Sequence, residues 1–129
     1  MGRSSVLVVE DEPEMLDIMQ VNLAQAGYDV VLAHDGVEAY QTCEACTPDA
    51  IVLDLNLPNM SGFRFARLLR RDPRWKGVRL IVVTAFAFEE VEDLANEGID
   101  GFISKPFDPA DLVSKLRYVL SRRSGVHSA

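Results

Sequence analysis

Five side chains fall at or just beyond the ends of short apolar runs. Glu10 and Asp11 follow Val6-Leu7-Val8-Val9, Asp54 follows Ile51-Val52-Leu53, Thr84 follows Ile81-Val82-Val83, and Lys105 follows Phe102-Ile103-Ser104. Three carboxylates gathered in one place repel each other and raise their pKa values, unless a cation or the Lys105 ammonium offsets the charge. An oxygen-only donor set without His or Cys selects a hard cation, and few protein ligands with retained waters suit Mg²⁺ better than Ca²⁺. Asp11 is the best candidate for direct ligation. Each residue also has a plainer reading: Glu10-Asp11-Glu12 as an acidic helix start near the positive dipole end, Thr84 as a strand-end hydroxyl, Lys105 as a surface charge.

The elements that must bring these groups together alternate along the chain. Short runs rich in Val, Ile and Leu predict strands at Ser5–Glu10, Tyr28–Ala33, Ala50–Asp54, Val78–Thr84 and Gly101–Ser104. The first, third and fourth are continuously apolar, as strands covered by helices on both faces must be. Between them, apolar residues recur at helical spacing: Leu16, Met19 and Leu23; Val91, Leu94 and Ala95; Leu112, Leu116 and Val119. Pro13 and Pro109 suit first helical turns, Asp108 suits an N-cap, and Gly27 and Gly98 stand where helices should stop. The pattern predicts an α/β domain of repeated βα units, with five strands and five helices around a parallel sheet. Open sheets of this kind bind ligands outside the carboxyl ends of their strands, where all five polar side chains fall.

The chain has 129 residues, 48% of them hydrophobic and 26% charged, which fits a single domain spanning residues 1–129 with an ordered core from about 5 to 121. A net charge of −7 argues against direct nucleic-acid binding, which draws on clustered Lys and Arg. The chain has no apolar run of about 18 residues for a membrane span, no secretory leader pattern, and no later Ser or Thr to complete a myristoylation signal after Met1-Gly2. A cytoplasmic protein that does not engage a membrane is expected. Cys43 and Cys46 are spaced C-x-x-C, but they lie in a segment, Val37–Cys46, that reads as helix instead of the strand-to-helix turn a redox motif needs. His34 and His127 have no second ligand at metal spacing and read as solvated.

Five motifs, in order and at matching intervals, resemble the receiver domain family of bacterial response regulators: Val8-Val9-Glu10-Asp11-Glu12-Pro13, Leu53-Asp54-Leu55-Asn56-Leu57-Pro58, Met60-Ser61-Gly62, Val83-Thr84-Ala85 and Ser104-Lys105-Pro106-Phe107. The resemblance covers nearly the whole chain and implies a flavodoxin-like, doubly wound sheet of order 2-1-3-4-5. It implies a two-component, phosphorelay signalling function. Asp54 would accept a phosphoryl group from a histidine kinase or histidine phosphotransfer protein in an Mg²⁺-dependent reaction, with Mn²⁺ an expected substitute. The domain would catalyse only its own phosphorylation and dephosphorylation, and would control a downstream protein partner or a fused output domain.

By the same resemblance, Asp11 would ligate Mg²⁺ directly, Glu10 through water, Asp54 through its carboxylate and Asn56 through its backbone carbonyl. Thr84 would bond a phosphoryl oxygen, Lys105 would pair with the phosphoryl group or the acceptor carboxylate, and the backbone at Asn56 and Ala85 would line the phosphoryl site. Thr84 and Phe102 would form the switch, Asn56 and Phe86 would tune hydrolysis, and the Lys105–Pro106 peptide would be cis. X-Pro is the one inexpensive place for such a bond.

The chain departs from the common family pattern in three places. Phe102 replaces a frequent Tyr, so the ring has no hydroxyl. The interval from Thr84 to Lys105 is about one residue short, which places a small deletion in the fourth helix or the loop before it. Phe86 puts an apolar ring near the expected acyl phosphate. Aspartyl phosphatases of the haloacid-dehalogenase type carry a second Asp two residues after the nucleophile, where this chain has Asn56. A receiver that works without phosphorylation would typically have lost an acidic or Lys position, and none is lost. Both a stand-alone regulator and a part of a hybrid kinase or larger regulator stay open.

Overall fold

The computed structural model describes residues 2–122, apart from the side chain of Phe88. His127 and the rest of the polar tail from residue 123 lie outside the described residues. The apolar runs form five strands, β1 (Ser5–Val9), β2 (Asp29–Ala33), β3 (Ala50–Asp54), β4 (Arg79–Thr84) and β5 (Gly101–Ser104). All neighbours pair in parallel, in the order β2-β1-β3-β4-β5. The helices are α1 (Pro13–Gln25), α2 (Gly36–Ala45), α3 (Gly62–Arg71), α4 (Phe88–Ala95) and α5 (Pro109–Ser121), with a 3₁₀ turn at Pro73–Trp75. The fold is the flavodoxin-like, doubly wound one.

Alternation along the strands builds two cores. Leu7, Val9, Ile51, Leu53, Leu80 and Val82 face α2, α3 and α4, while Val6, Val8, Val52, Ile81 and Val83 face α1 and α5. Every residue of β3 is buried, so the strand ending in Asp54 is enclosed on both faces. The helix stripes expected from spacing are inward-facing, except that Ala95 is only half-buried. Pro13 and Pro109 open α1 and α5, the Asp108 carboxylate caps the Ala110 amide, and Gly27 and Gly98 adopt φ values of 101° and 107°.

Four elements differ from their expected bounds, five boundaries in all, each beside a local hydrogen bond or a turn of the backbone. β1 stops at Val9 because the Glu10 side chain accepts the Glu12 amide and bends the chain. β2 starts at Asp29 because the Tyr28 amide is taken by the Leu23 carbonyl as α1 closes. β4 starts at Arg79 because the Val78 amide bonds back to Trp75. α2 starts at Gly36 because the Asp35 carboxylate caps the Glu38 amide, and it ends at Ala45 because the backbone turns extended at Cys46.

Candidate functional site

The parallel register delivers the site. Val9 lies beside Leu53, Asp54 beside Val83 and Thr84 beside Ser104, so the residues that end β1, β3, β4 and β5 emerge along one edge. Glu10 is 1% exposed and Asp54 5% exposed, whereas Asp11 is open to solvent. Ligand oxygens of Glu10, Asp11 and Asp54 lie within 4.8 Å of one another. Lys105 Nζ stands 3.0 Å from Glu10 Oε1 and 3.3 Å from Asp54 Oδ2. The Asn56 amide donates to Asp54 Oδ1 at 3.2 Å, which fixes the carboxylate plane from the other side.

Electrostatics at this edge are tense. Burial raises the pKa of Glu10 and the nearby Asp54 charge adds to it, while the Lys105 hydrogen bond pulls the other way. Burial works against the Lys105 ammonium, but the Glu10 hydrogen bond and the charges of Asp54 and Glu10 outweigh it and hold its pKa above the ordinary lysine value. One ammonium against three carboxylates leaves excess negative charge in a partly desolvated place. The donors are all oxygens, two of them held in place by hydrogen bonds, and Asp11 opens to water. This set fits a hard, partly hydrated divalent cation such as Mg²⁺.

Thr84 is 1% exposed, and its Oγ1 accepts the Phe86 amide at 3.1 Å. The Lys105 amide donates to the Thr84 carbonyl at 2.8 Å, and the Lys105–Pro106 peptide is cis. Asp54, Asn56, Thr84, Ala85, Phe86 and Lys105 line a cleft of about 310 Å³. Phe86 leans on Phe63, their ring centroids 5.8 Å apart and tilted by 55°. Phe102 does not line this cleft. It packs against the core under α4 and borders a separate groove of about 530 Å³ shared with Pro106, Phe107 and Tyr118.

Two residues that pack behind the cleft lining carried no signal of that role in the sequence. Phe63, the partner of Phe86, reads as ordinary helix core. Gly62 ends the Met60-Ser61-Gly62 motif, but its close approach to the Asp54 backbone is tertiary. Cys43 is buried in the core and Cys46 exposed at the end of α2, both as free thiols.

A family model for the response regulator receiver domain matches residues 6–117. The chain belongs to this family. Among curated relatives, the receiver is 33% identical over 127 residues to the DNA-binding dual master transcriptional regulator RpaA of Synechocystis, covering 96% of this chain and 52% of RpaA. It is 37% identical over 122 residues to the phosphate regulon transcriptional regulatory protein PhoB of Pseudomonas aeruginosa, covering 94% of this chain and 53% of PhoB. It is also 38% identical over 112 residues to hybrid signal transduction histidine kinase D of Dictyostelium discoideum, covering 86% of this chain and 7% of the kinase. The receiver thus spans about half the length of the first two relatives.

Among solved structures, the chemotaxis response regulator CheY4 of Vibrio cholerae superposes with a TM-score of 0.85 at 30% identity, covering 91% of this chain and 98% of CheY4. The receiver domain of the sensor histidine kinase PA1611 of Pseudomonas aeruginosa superposes with a TM-score of 0.85 at 29% identity, covering 94% of this chain and all of that one. That domain was solved with a magnesium ion coordinated in its active-site cleft. No helix among the described residues of this receiver is long and apolar enough to cross a membrane.

Proposed function

We propose that this receiver accepts a phosphoryl group on Asp54 from a phosphohistidine of a histidine kinase or histidine phosphotransfer protein. The observation that carries the reading is the Lys105 ammonium bridging buried Glu10 and Asp54 beside exposed Asp11. Asp54 Oδ attacks phosphorus in line as the P–N bond breaks. The donor imidazole leaves with that electron pair and takes its proton from solvent. No general base is needed, because an ionised carboxylate is already the nucleophile.

Asp11 and Asp54 would hold Mg²⁺ directly, with Glu10 acting through water and Asn56 through its carbonyl. The ion would supply positive charge to the phosphoryl oxygens. Mn²⁺ is expected to substitute. Lys105, released from part of its ion pairing with Asp54, neutralises a second phosphoryl oxygen. Thr84, its Oγ1 oriented by the Phe86 amide, donates its hydroxyl proton to a third, and the Ala85 backbone lines the same pocket. Thr84 drawn inward leaves space at β4 that Phe102 follows, coupling the cleft to the groove beside β5.

The whole chain, residues 1–129, acts as one receiver unit in the cytoplasm, and its only chemistry is its own phosphorylation and dephosphorylation. Its output is a downstream protein or a fused domain, and the receiver itself makes no direct nucleic-acid contact. Intact mass after incubation with a small acyl phosphate or phosphoramidate tests the reading. A single phosphoryl adduct that needs Mg²⁺ and vanishes in Asp54→Ala is expected, whereas an adduct that survives Asp54→Ala overturns it.

A further inference from the structure

Seven of the thirteen Lys and Arg residues fall between Arg64 and Arg79, although the net charge is −7. No further cation follows until Lys105, and in that interval Glu89, Glu90, Glu92, Asp93 and Glu97 cluster on α4 and the turn after it. The charge is therefore segregated onto two neighbouring helices on the same side of the sheet. α3 buries Phe65, Ala66 and Leu69, which leaves Arg64, Arg67, Leu68 and Arg71 as the opposite stripe, at i, i+3, i+4 and i+7. α4 buries Val91 and Leu94 and exposes Glu89, Glu90, Glu92 and Asp93.

Arg71 and Glu97 already join the far ends of the two helices at 2.8 Å. Arg64, Arg67 and the four exposed acids of α4 make no ion pair among the described residues. Leu68, 37% exposed, adds an apolar contact in the middle of the cationic stripe.

From this segregation we infer that the α3/α4 face is an interface between two copies of this chain, with α3 of each copy lying along α4 of the other. A cationic helix beside an anionic one is self-complementary under only one of the two simple two-fold arrangements. An axis lying across the helices would stack α3 on α3 and α4 on α4, which places like charges together. An axis running along the helices, between them, stacks α3 on α4 twice. Both helices begin at the carboxyl edge of the sheet, so this arrangement leaves the two Asp54 clefts at the same end of the dimer. A nucleic acid is a poorer occupant, because a polyanion laid on α3 meets the acidic α4 beside it. The inference concerns the unmodified chain and does not rest on phosphorylation.

Exposed pairs are individually weak and screened by salt, so the dimer should be salt-sensitive. The test is sedimentation velocity of the full chain at about 0.05 M and about 0.5 M NaCl, where screening lengths differ roughly threefold. It is run on wild type, on Arg64→Glu/Arg67→Glu and on Glu92→Arg/Asp93→Arg. Wild type should dimerise, with a dissociation constant that rises about tenfold or more in the higher salt. Each reversal alone should be monomeric, and an equimolar mixture of the two variants should form a heterodimer, since the reversed charges of one variant again meet opposite charges on the other. Heterodimer formation also shows that both variants fold. A wild-type chain that stays monomeric at low salt, a dimer that survives either reversal, or a monomer whose cationic stripe captures a DNA duplex would each overturn the inference.

Discussion

Gly62 sits so close to Asp54 that a Cβ on it would come within 2.4 Å of the Asp54 carbonyl oxygen and 2.6 Å of the Leu55 Cα. The obstacle is backbone, which cannot swing aside, and the Gly62 amide also donates to the Leu55 carbonyl. Gly62→Ala should therefore push the start of α3 away from β3 and destabilise the fold by about 1–3 kcal/mol. Urea unfolding would measure the loss. A variant as stable as wild type would show that the loop after Asp54 yields easily.

Asp11 adds a third carboxylate to the acidic cluster and is the proposed direct Mg²⁺ ligand. Asp11→Ala should weaken Mg²⁺ binding more than tenfold, by the order of about 1.4 kcal/mol or more. The metal-free melting temperature should hold or rise, because one of three crowded carboxylates is gone. Calorimetric titration and a melting curve without metal read the two effects separately, and a lower metal-free melting temperature would make Asp11 a structural residue.

Asp35 caps α2 through the Glu38 amide and also accepts from the Asn59 side chain, and these bonds hold its carboxyl below the ordinary value of 3.8. A folded pKa below the unfolded one means that the ionised form stabilises the protein above the unfolded pKa. That contribution is lost as pH falls through the lower folded value. Asp35→Ala should cost about 1 kcal/mol at neutral pH. Asp35→Asn, which can still cap, should keep most of the stability while flattening its pH dependence below about pH 4. Denaturation midpoints from neutral to acid pH check both.

Burial pushes the Cys43 thiol up to about 12, while Cys46 lies in solvent at the end of α2. Alkylation of the native protein near neutral pH should modify Cys46 alone, and denaturant should expose the second site. Peptide mapping distinguishes the two, and rapid native labelling of Cys43 would mean that α2 opens readily.

Phe86 rests against Phe63 at the wall of the Asp54 cleft, where its ring offers an approaching water no hydrogen bond. Phe86→Glu should shorten the lifetime of the proposed acyl phosphate several-fold, which corresponds to a barrier change of about 1 kcal/mol. Phe63→Ala, by loosening the ring, should shorten it less. Loss of phosphate after rapid donor removal gives the rates, and equal decay in all three proteins would assign Phe86 to packing alone.

The parts of the fold legible in the sequence were those set by one-dimensional patterns. β3 and β5 begin and end where their apolar runs do, and Asp108 caps α5 as its residue type suggests. The polar residues at the strand ends converge because parallel strands in register place them along one edge. The parts not legible depend on partners distant in sequence. Arg70, only 10% exposed, donates to the carbonyls of Trp75, Val78 and Gly98 and to the Asp100 carboxylate, and Asp100 in turn accepts the Leu80 amide. From sequence Arg70 is one arginine among several on a helix. The 3₁₀ turn that buries Trp75 edge-on to Tyr40 was hidden because its apolar content is a single residue.

The burial of β3 has a mechanical consequence. Asp54 is anchored on the strand with neighbours on both sides and helices on both faces, where displacement is most strongly resisted, while Thr84 stands one strand outward and Phe102 and Lys105 belong to the margin of the sheet. A perturbation applied at the stiff middle is then expressed where the lattice of contacts is thinnest, so the molecule is graded from a fixed anvil at its centre to a compliant rim. Amide exchange should follow that gradient, slowest along β3 and fastest at β5, before any signal arrives.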